Sequence, residues 1–173
     1  LWTGGIVEEG DTEPAPGDPP PELARLLSRL GDSTGVNDSW QDGARRLAAA
    51  RVAVVGDAEL AGEMVTALEP TLPEVRLDSA PRRGDTLTVL VETSDSAARS
   101  QEVARRCWQE GIPLLRVRAE QEAVTVGPYV DESFSPCLAC ACADEPEIGP
   151  RPEPVRHDII VGLAARAVAA LIA

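Results

Sequence analysis

Apolar positions along the chain change period several times, and each change predicts an element. Residues 51–55, Arg-Val-Ala-Val-Val, are a short apolar run ending at Gly56 and predict a strand. Residues 58–69 follow with helical period. Residues 74–78 predict a second strand. Residues 86–92 predict a third, so uniformly apolar that both of its faces should be buried. Residues 96–111 read as an amphipathic helix with Gly111 past its end, and 113–120 and 123–130 return to strand. Strand, helix, strand, strand, helix, strand predicts a doubly wound α/β sheet.

The flanks read differently. Residues 1–9 contain a short apolar stretch that could pair as a strand, and residues 10–21, rich in Pro and acid, read as a linker. Residues 22–30 place Leu23, Leu26, Leu27 and Leu30 on one helical face, stopped by Gly31. Residues 32–38 are a polar loop, and 39–50 a second short helix capped by Ser39. Residues 131–154 have little regular pattern and hold three cysteines, Glu145 and Glu147; 155–173 form an Ala-rich final helix. No internal repeat interrupts this order. The division expected is an N-terminal appendage and linker over 1–38, and a domain over 39–173 with a Cys-containing loop and a C-terminal helix.

Composition narrows the function classes. The 173 residues are 43% hydrophobic but only 3% aromatic, so the core must be Ala, Val and Leu. A net charge of −13 disfavours a nucleic-acid partner, which needs cations to displace phosphate counterions. All 16 basic residues are Arg. With no Lys there is neither a Schiff-base lysine nor a Walker-type phosphate lysine. No apolar run approaches the ~20 residues that span a bilayer. The N-terminus lacks the basic and apolar regions of a secretory signal. No membrane role and a cytoplasmic setting are therefore expected. The chain starts at Leu1, as a processed or truncated form would.

Candidate chemistry is sparse. The turn after the first strand keeps Gly56 but continues Asp57, Ala58, Glu59 and Ala61, where a nucleotide fingerprint places further glycines. Carboxylates at a helix N-terminus repel phosphate. Cys137-x-x-Cys140-x-Cys142 has metal-knuckle spacing, with His157 as an available fourth ligand. Free or oxidised thiols are the alternative. Cys107, inside a helix, reads as a small buried hydrophobe. His157 is the sole His, so no nucleophile and base pair can be assembled around it with any regular motif.

Residues 51–142 resemble the ThiF/MoeB-type adenylating proteins, the ubiquitin-activating-enzyme-like (E1-like) family. Asp78 ends the second strand and Glu92-Thr93-Ser94-Asp95 the third. Cys107 follows Asp95 at twelve residues, Gly111-Ile112-Pro113 opens the next strand, and Gly127-Pro128 precedes Ser135-Pro136-Cys137-Leu138-Ala139-Cys140. Within that family the chain is most similar to the ThiF-like partners of azoline-forming machinery. These work with YcaO-type cyclodehydratases on ribosomal peptides that become thiazole/oxazole natural products. Residues 1–38 would then resemble the tail of a leader-peptide-binding module.

The resemblance implies an α/β, reduced Rossmann-like (ThiF/E1-like) sheet with flanking helices. It also implies a degenerate nucleotide site at Gly56, Asp78 and Asp95. No cofactor is expected, and any metal bound would be zinc, held by Cys137, Cys140 and Cys142. The first-turn glycines of an active adenylating enzyme and its Asn after Asp95 are replaced by Ala58, Glu59, Ala61 and Ser96, its Lys is missing, and the family's second Cys-x-x-Cys is not among these residues. The implied role is a non-catalytic partner of the cyclodehydratase that presents the precursor peptide by its leader, with a homodimer as a further association. An active ATP-dependent adenylating enzyme and a structural dimerisation module are the alternatives.

Overall fold

The computed structural model describes Leu23, Leu27 and residues 40–173. The expected N-terminal strand, the linker and the loop at 32–38 lie outside the described residues, as does most of the helix at 22–30. Leu23 and Leu27 are helical, and Leu27 is buried against the domain. The elements are α1 (Trp40–Ala49), β1 (Arg51–Gly56), α2 (Ala58–Leu68), β2 (Glu74–Leu77), β3 (Leu87–Glu92), α3 (Ala97–Glu110), β4 (Leu114–Ala119), β5 (Val124–Val130), α4 (Leu138–Ala141) and α5 (His157–Ile172). A single 3-10 turn, Pro154–Arg156, leads into α5.

The five strands form one sheet in the order β2-β1-β3-β4-β5. The first four run parallel and β5 is antiparallel to β4. Every residue of β3 is buried, as its unbroken apolar run requires. Alternation along the strands separates two cores. Val52, Val54, Val89, Leu115 and Val117 face a layer of α2 and α5, packed with Leu60, Met64, Ile160, Ala164 and Val168. Ala53, Val55, Leu90 and Leu114 face α3 alone, through Val103 and Cys107. The fold is thus an α/β, reduced Rossmann-like sheet, with one face covered by paired helices and the other by a single helix. Gly111 ends α3 in the left-handed region at φ 64°, its amide returning to the carbonyls of Cys107 and Trp108.

The singly covered face decides where a site can lie. Beyond α3 the sheet is roofed by the segment 131–154 rather than by a second helix. Among the described residues no helix is long and apolar enough to cross a membrane.

Candidate functional site

The strand order reverses direction between β1 and β3, and open α/β sheets bind ligands in the crevice beyond the carboxyl ends of the strands at such a point. Gly56 closes β1 there with φ 127°, so close to β3 that a Cβ added to it would lie 1.9 Å from the Val91 carbonyl oxygen. Asp57 then caps α2. One of its oxygens accepts from the Leu60 amide at 3.2 Å, and the other accepts from the Thr93 hydroxyl at 3.0 Å. Arg151 reaches in from the roofing segment and donates to Asp57 at 3.0 Å and to Glu59 at 2.7 Å. One of the amide donors that a helix N-terminus would offer to a phosphate, that of Leu60, is thereby engaged by the chain's own carboxylate, and that carboxylate is matched by the chain's own guanidinium. Burial lowers the Arg151 pKa, but the facing Asp57 and Glu59 outweigh it and hold the group above its ordinary value.

The two other residues of the expected nucleotide site stand on the same edge. Asp78 follows β2, its amide donating to Val54 O at 3.0 Å. Its carboxylate accepts from Arg76 at 3.2 Å and from the Ser79 amide at 2.7 Å, and pairs with Arg82 at 2.7 Å. Burial raises the Asp78 pKa, and the Ser79 amide with Arg76 and Arg82 more than reverses this, leaving it below the usual carboxylate range. Asp85 fastens Arg76 at 2.7–2.8 Å. A ribose diol would have to displace guanidinium contacts to reach Asp78. Asp95, past β3, is exposed. The structure therefore places Gly56, Asp78 and Asp95 along three adjacent strand ends, with Asp78 paired to Arg76 and Arg82 and the head of α2 paired to Arg151.

On the α3 face, β4 turns Arg116 and Arg118 to the same side as Leu114, and both are only 6% exposed. Arg116 binds Glu92 at 2.6 Å and Glu145 at 2.5 Å. Arg118 binds Glu120, Glu145 at 3.0 Å, and the carbonyls of Pro146 and Glu147. Two buried cations thus pin the roofing segment to the sheet. Burial depresses the Arg116 pKa, but Glu145 and Glu92 raise it further than burial lowers it. Between α3 and this segment runs an open groove of about 1330 Å³, lined in part by Gln101, Trp108, Leu138 and Ile148.

The cysteines do not converge as a set. Cys137 and Cys140 bring their sulfurs to 3.3 Å at the rim of the groove. Cys142 turns away and accepts from Arg116 at 3.1 Å. Its thiol is pushed up by burial and by Glu145. His157 is in the opposite helical layer. It opens α5 as the sequence suggests, but it is a buried residue, not a surface one, with Nδ1 3.0 Å from Glu63 of α2. Among the described residues the group of three ligating side chains that does converge is Glu59, Glu63 and His157, none of them cysteine. Cys107 is the buried hydrophobe expected, its thiol pushed up to about 11 by burial.

Reading the sequence missed Arg116, Arg118, Glu145 and Arg151. Two of them carried a signal: Arg at 116 and 118 in an otherwise apolar strand marks one face as charged by the period of two. Arg151 carried none, since its partner lies 94 residues away.

No protein-family model and no curated protein sequence matches the chain. Solved structures do. A heterocyclase determined in complex with substrate and cofactor matches 88% of this chain with a TM-score of 0.66 at 15% identity. The heterocyclase TruD matches 88% with a TM-score of 0.63 at 14% identity. PaaA, determined with selenomethionine, matches 94% with a TM-score of 0.57 at 11% identity. The chain spans about a quarter of the two heterocyclases, 23% and 24% of their lengths, and 78% of PaaA. At these identities the likeness is one of fold: a mostly parallel, five-stranded α/β sheet flanked by helices.

Proposed function

We propose that this chain is a non-catalytic ThiF-like partner of a YcaO-type cyclodehydratase, and that it holds or presents a precursor peptide for thiazole/oxazole formation. The observation that carries the reading is Arg151 seated on Asp57 and Glu59 at the head of α2, within a fold shared with heterocyclases. Adenylation needs a phosphate cradle. Each charge-assisted hydrogen bond that such a cradle gives a phosphate contributes roughly 1.5–3 kcal/mol, and here carboxylates stand where several of the donors would be. The sheet and the α3 groove remain available for docking, and the groove is large enough for an extended peptide segment.

The test is azoline formation by the partner enzyme on free and leader-fused substrates, with and without this chain. A presenting role raises turnover of the free substrate by local concentration, by as much as ~10²–10⁴-fold, and leaves the fused substrate unchanged. Calorimetry with ATP and magnesium should show no binding tighter than about 100 μM, or ~5.5 kcal/mol. Release of AMP or pyrophosphate by the chain alone would replace this reading with the adenylating one.

One observation favours the dimerisation reading. Ile159, Leu163 and Leu171 of α5 are exposed, with Val155 just before the helix. Analytical ultracentrifugation of wild type and of Ile159→Glu/Leu163→Glu separates the two. A dimer that the double variant dissolves, with no effect on any partner enzyme, would support the structural module instead.

A further inference from the structure

The Cys-x-x-Cys at the groove's rim has no part in the proposed function. A structural zinc takes four ligands. Here two sulfurs stand together, the third is held by Arg116, and His157 lies across the sheet against Glu63. Among the described residues no other ligating group joins the pair. The residues present therefore do not fit the zinc that the family resemblance implies.

We propose that Cys137 and Cys140 are a redox-active dithiol, oxidised to a disulfide within the loop by low-molecular-weight disulfides of the glutathione class. The two sulfurs are 3.3 Å apart and need only close to roughly 2.05 Å. Neither side chain is enclosed, so a small disulfide can reach them. The Cys137 thiolate attacks the disulfide RSSR, forming a mixed disulfide and expelling one RS⁻. The Cys140 thiolate then attacks the Cys137 sulfur and expels the second RS⁻. The two protein thiols lose two electrons and two protons, and one RSSR becomes two RSH. The Cys140 sulfur, 3.3 Å from that of Cys137, is placed to resolve the mixed disulfide. Cys142 stays outside the exchange because Arg116 and Glu145 hold its sulfur inside the groove. Since Cys137, Leu138 and Ala139 line the groove, the bridge would give its rim two covalent states.

The experiment uses the whole chain, anaerobic and with chelator, equilibrated in glutathione buffers, then alkylated and mapped by mass spectrometry. The expected result is the loss of two hydrogens and one bridge between Cys137 and Cys140. Cys140→Ser should accumulate a glutathione adduct on Cys137. Cys137→Ser should form its adduct on Cys140 and no bridge. Cys137 caps the single-turn α4 and Cys140 lies within it, neither of them buried, and circular dichroism of each variant confirms that the fold is kept. Free thiols at equilibrium with fully oxidised glutathione, or a bridge to Cys142, would overturn the proposal. So would stoichiometric zinc, found without chelator and absent once either cysteine is removed.

Discussion

Replacing Arg151 by Met tests the reading of the β1–α2 turn directly. Met keeps the apolar stem and removes the guanidinium, so the change isolates the two ion pairs. The Asp57 side chain is 6% exposed, that of Glu59 is 52% exposed and that of Arg151 33%. A fully buried charge left without its partner costs about 3–5 kcal/mol, and an exposed pair contributes about 0–1 kcal/mol. The Asp57 pair falls between these limits because solvent reaches the arginine, and the Glu59 pair sits at the lower one. The expected destabilisation is about 1.5 kcal/mol, a fall in Tm of roughly 3–6 °C for a domain of this size. Asp57→Asn supplies the second arm. The Asn side-chain oxygen still accepts from the Leu60 amide or the Thr93 hydroxyl, so the cap is kept and only the charge goes. In that background Arg151→Met should cost only what Glu59 returns, about 0.5 kcal/mol, giving a coupling of ~1 kcal/mol in the double-mutant cycle. Urea denaturation with a constant m-value measures all four corners. Strict additivity would show that Arg151 and Asp57 do not act on each other, and the account of the closed phosphate position would fail with it.

Gly56→Ala should cost about 3 kcal/mol or more, because a Cβ there meets a β3 carbonyl at a φ that L residues avoid; a soluble variant with an unchanged urea midpoint would contradict this. Acid should destabilise the chain through Asp78 and Glu145. Both carboxyls lie below their ordinary values, Asp78 by the Ser79 amide with Arg76 and Arg82, Glu145 by Arg116 and Arg118, each against an opposing effect of burial. Their contribution is complete above the unfolded values near ~4 and is lost as pH falls through the lower folded ones. The urea midpoint should therefore drop between about pH 5 and about pH 3, and drop less in Asp78→Asn/Glu145→Gln. Cys107, buried and with its thiol pushed up to about 11, should resist alkylation in the folded chain and label at the rate of unfolding; prompt labelling would place it elsewhere.

What the sequence could and could not show divides along contact distance. The five strands and the helices α1, α2, α3 and α5 fall within two residues of their expected bounds, because each is set by the local period of apolar side chains and by stops such as Gly111, whereas the single-turn α4 had no such period. The fully buried β3 was legible for the same reason. The carboxyl-edge positions of Gly56, Asp78 and Asp95 were legible too, since a residue that ends a parallel strand must stand on that edge whatever it does there. The electrostatics of the site were not. Asp57 reads as a helix cap and Glu59 as a surface acid until a guanidinium from 94 and 92 residues away lands on both. Arg116 and Arg118 read as polar interruptions of a strand until Glu145 covers them, converting two liabilities into the fastening of the Cys-containing segment. The same fastening pulls Cys142 from the other two cysteines, which spacing alone had grouped. The ion-paired β1–α2 turn and the split cysteine cluster thus share one physical cause. A single segment, 131–154, carries Arg151 to one edge of the sheet and Glu145 to the face beside α3, and each charge meets a partner already waiting on the sheet. At the β1–α2 turn, the charge that the returning segment brings is Arg151, which balances Asp57 and Glu59 there.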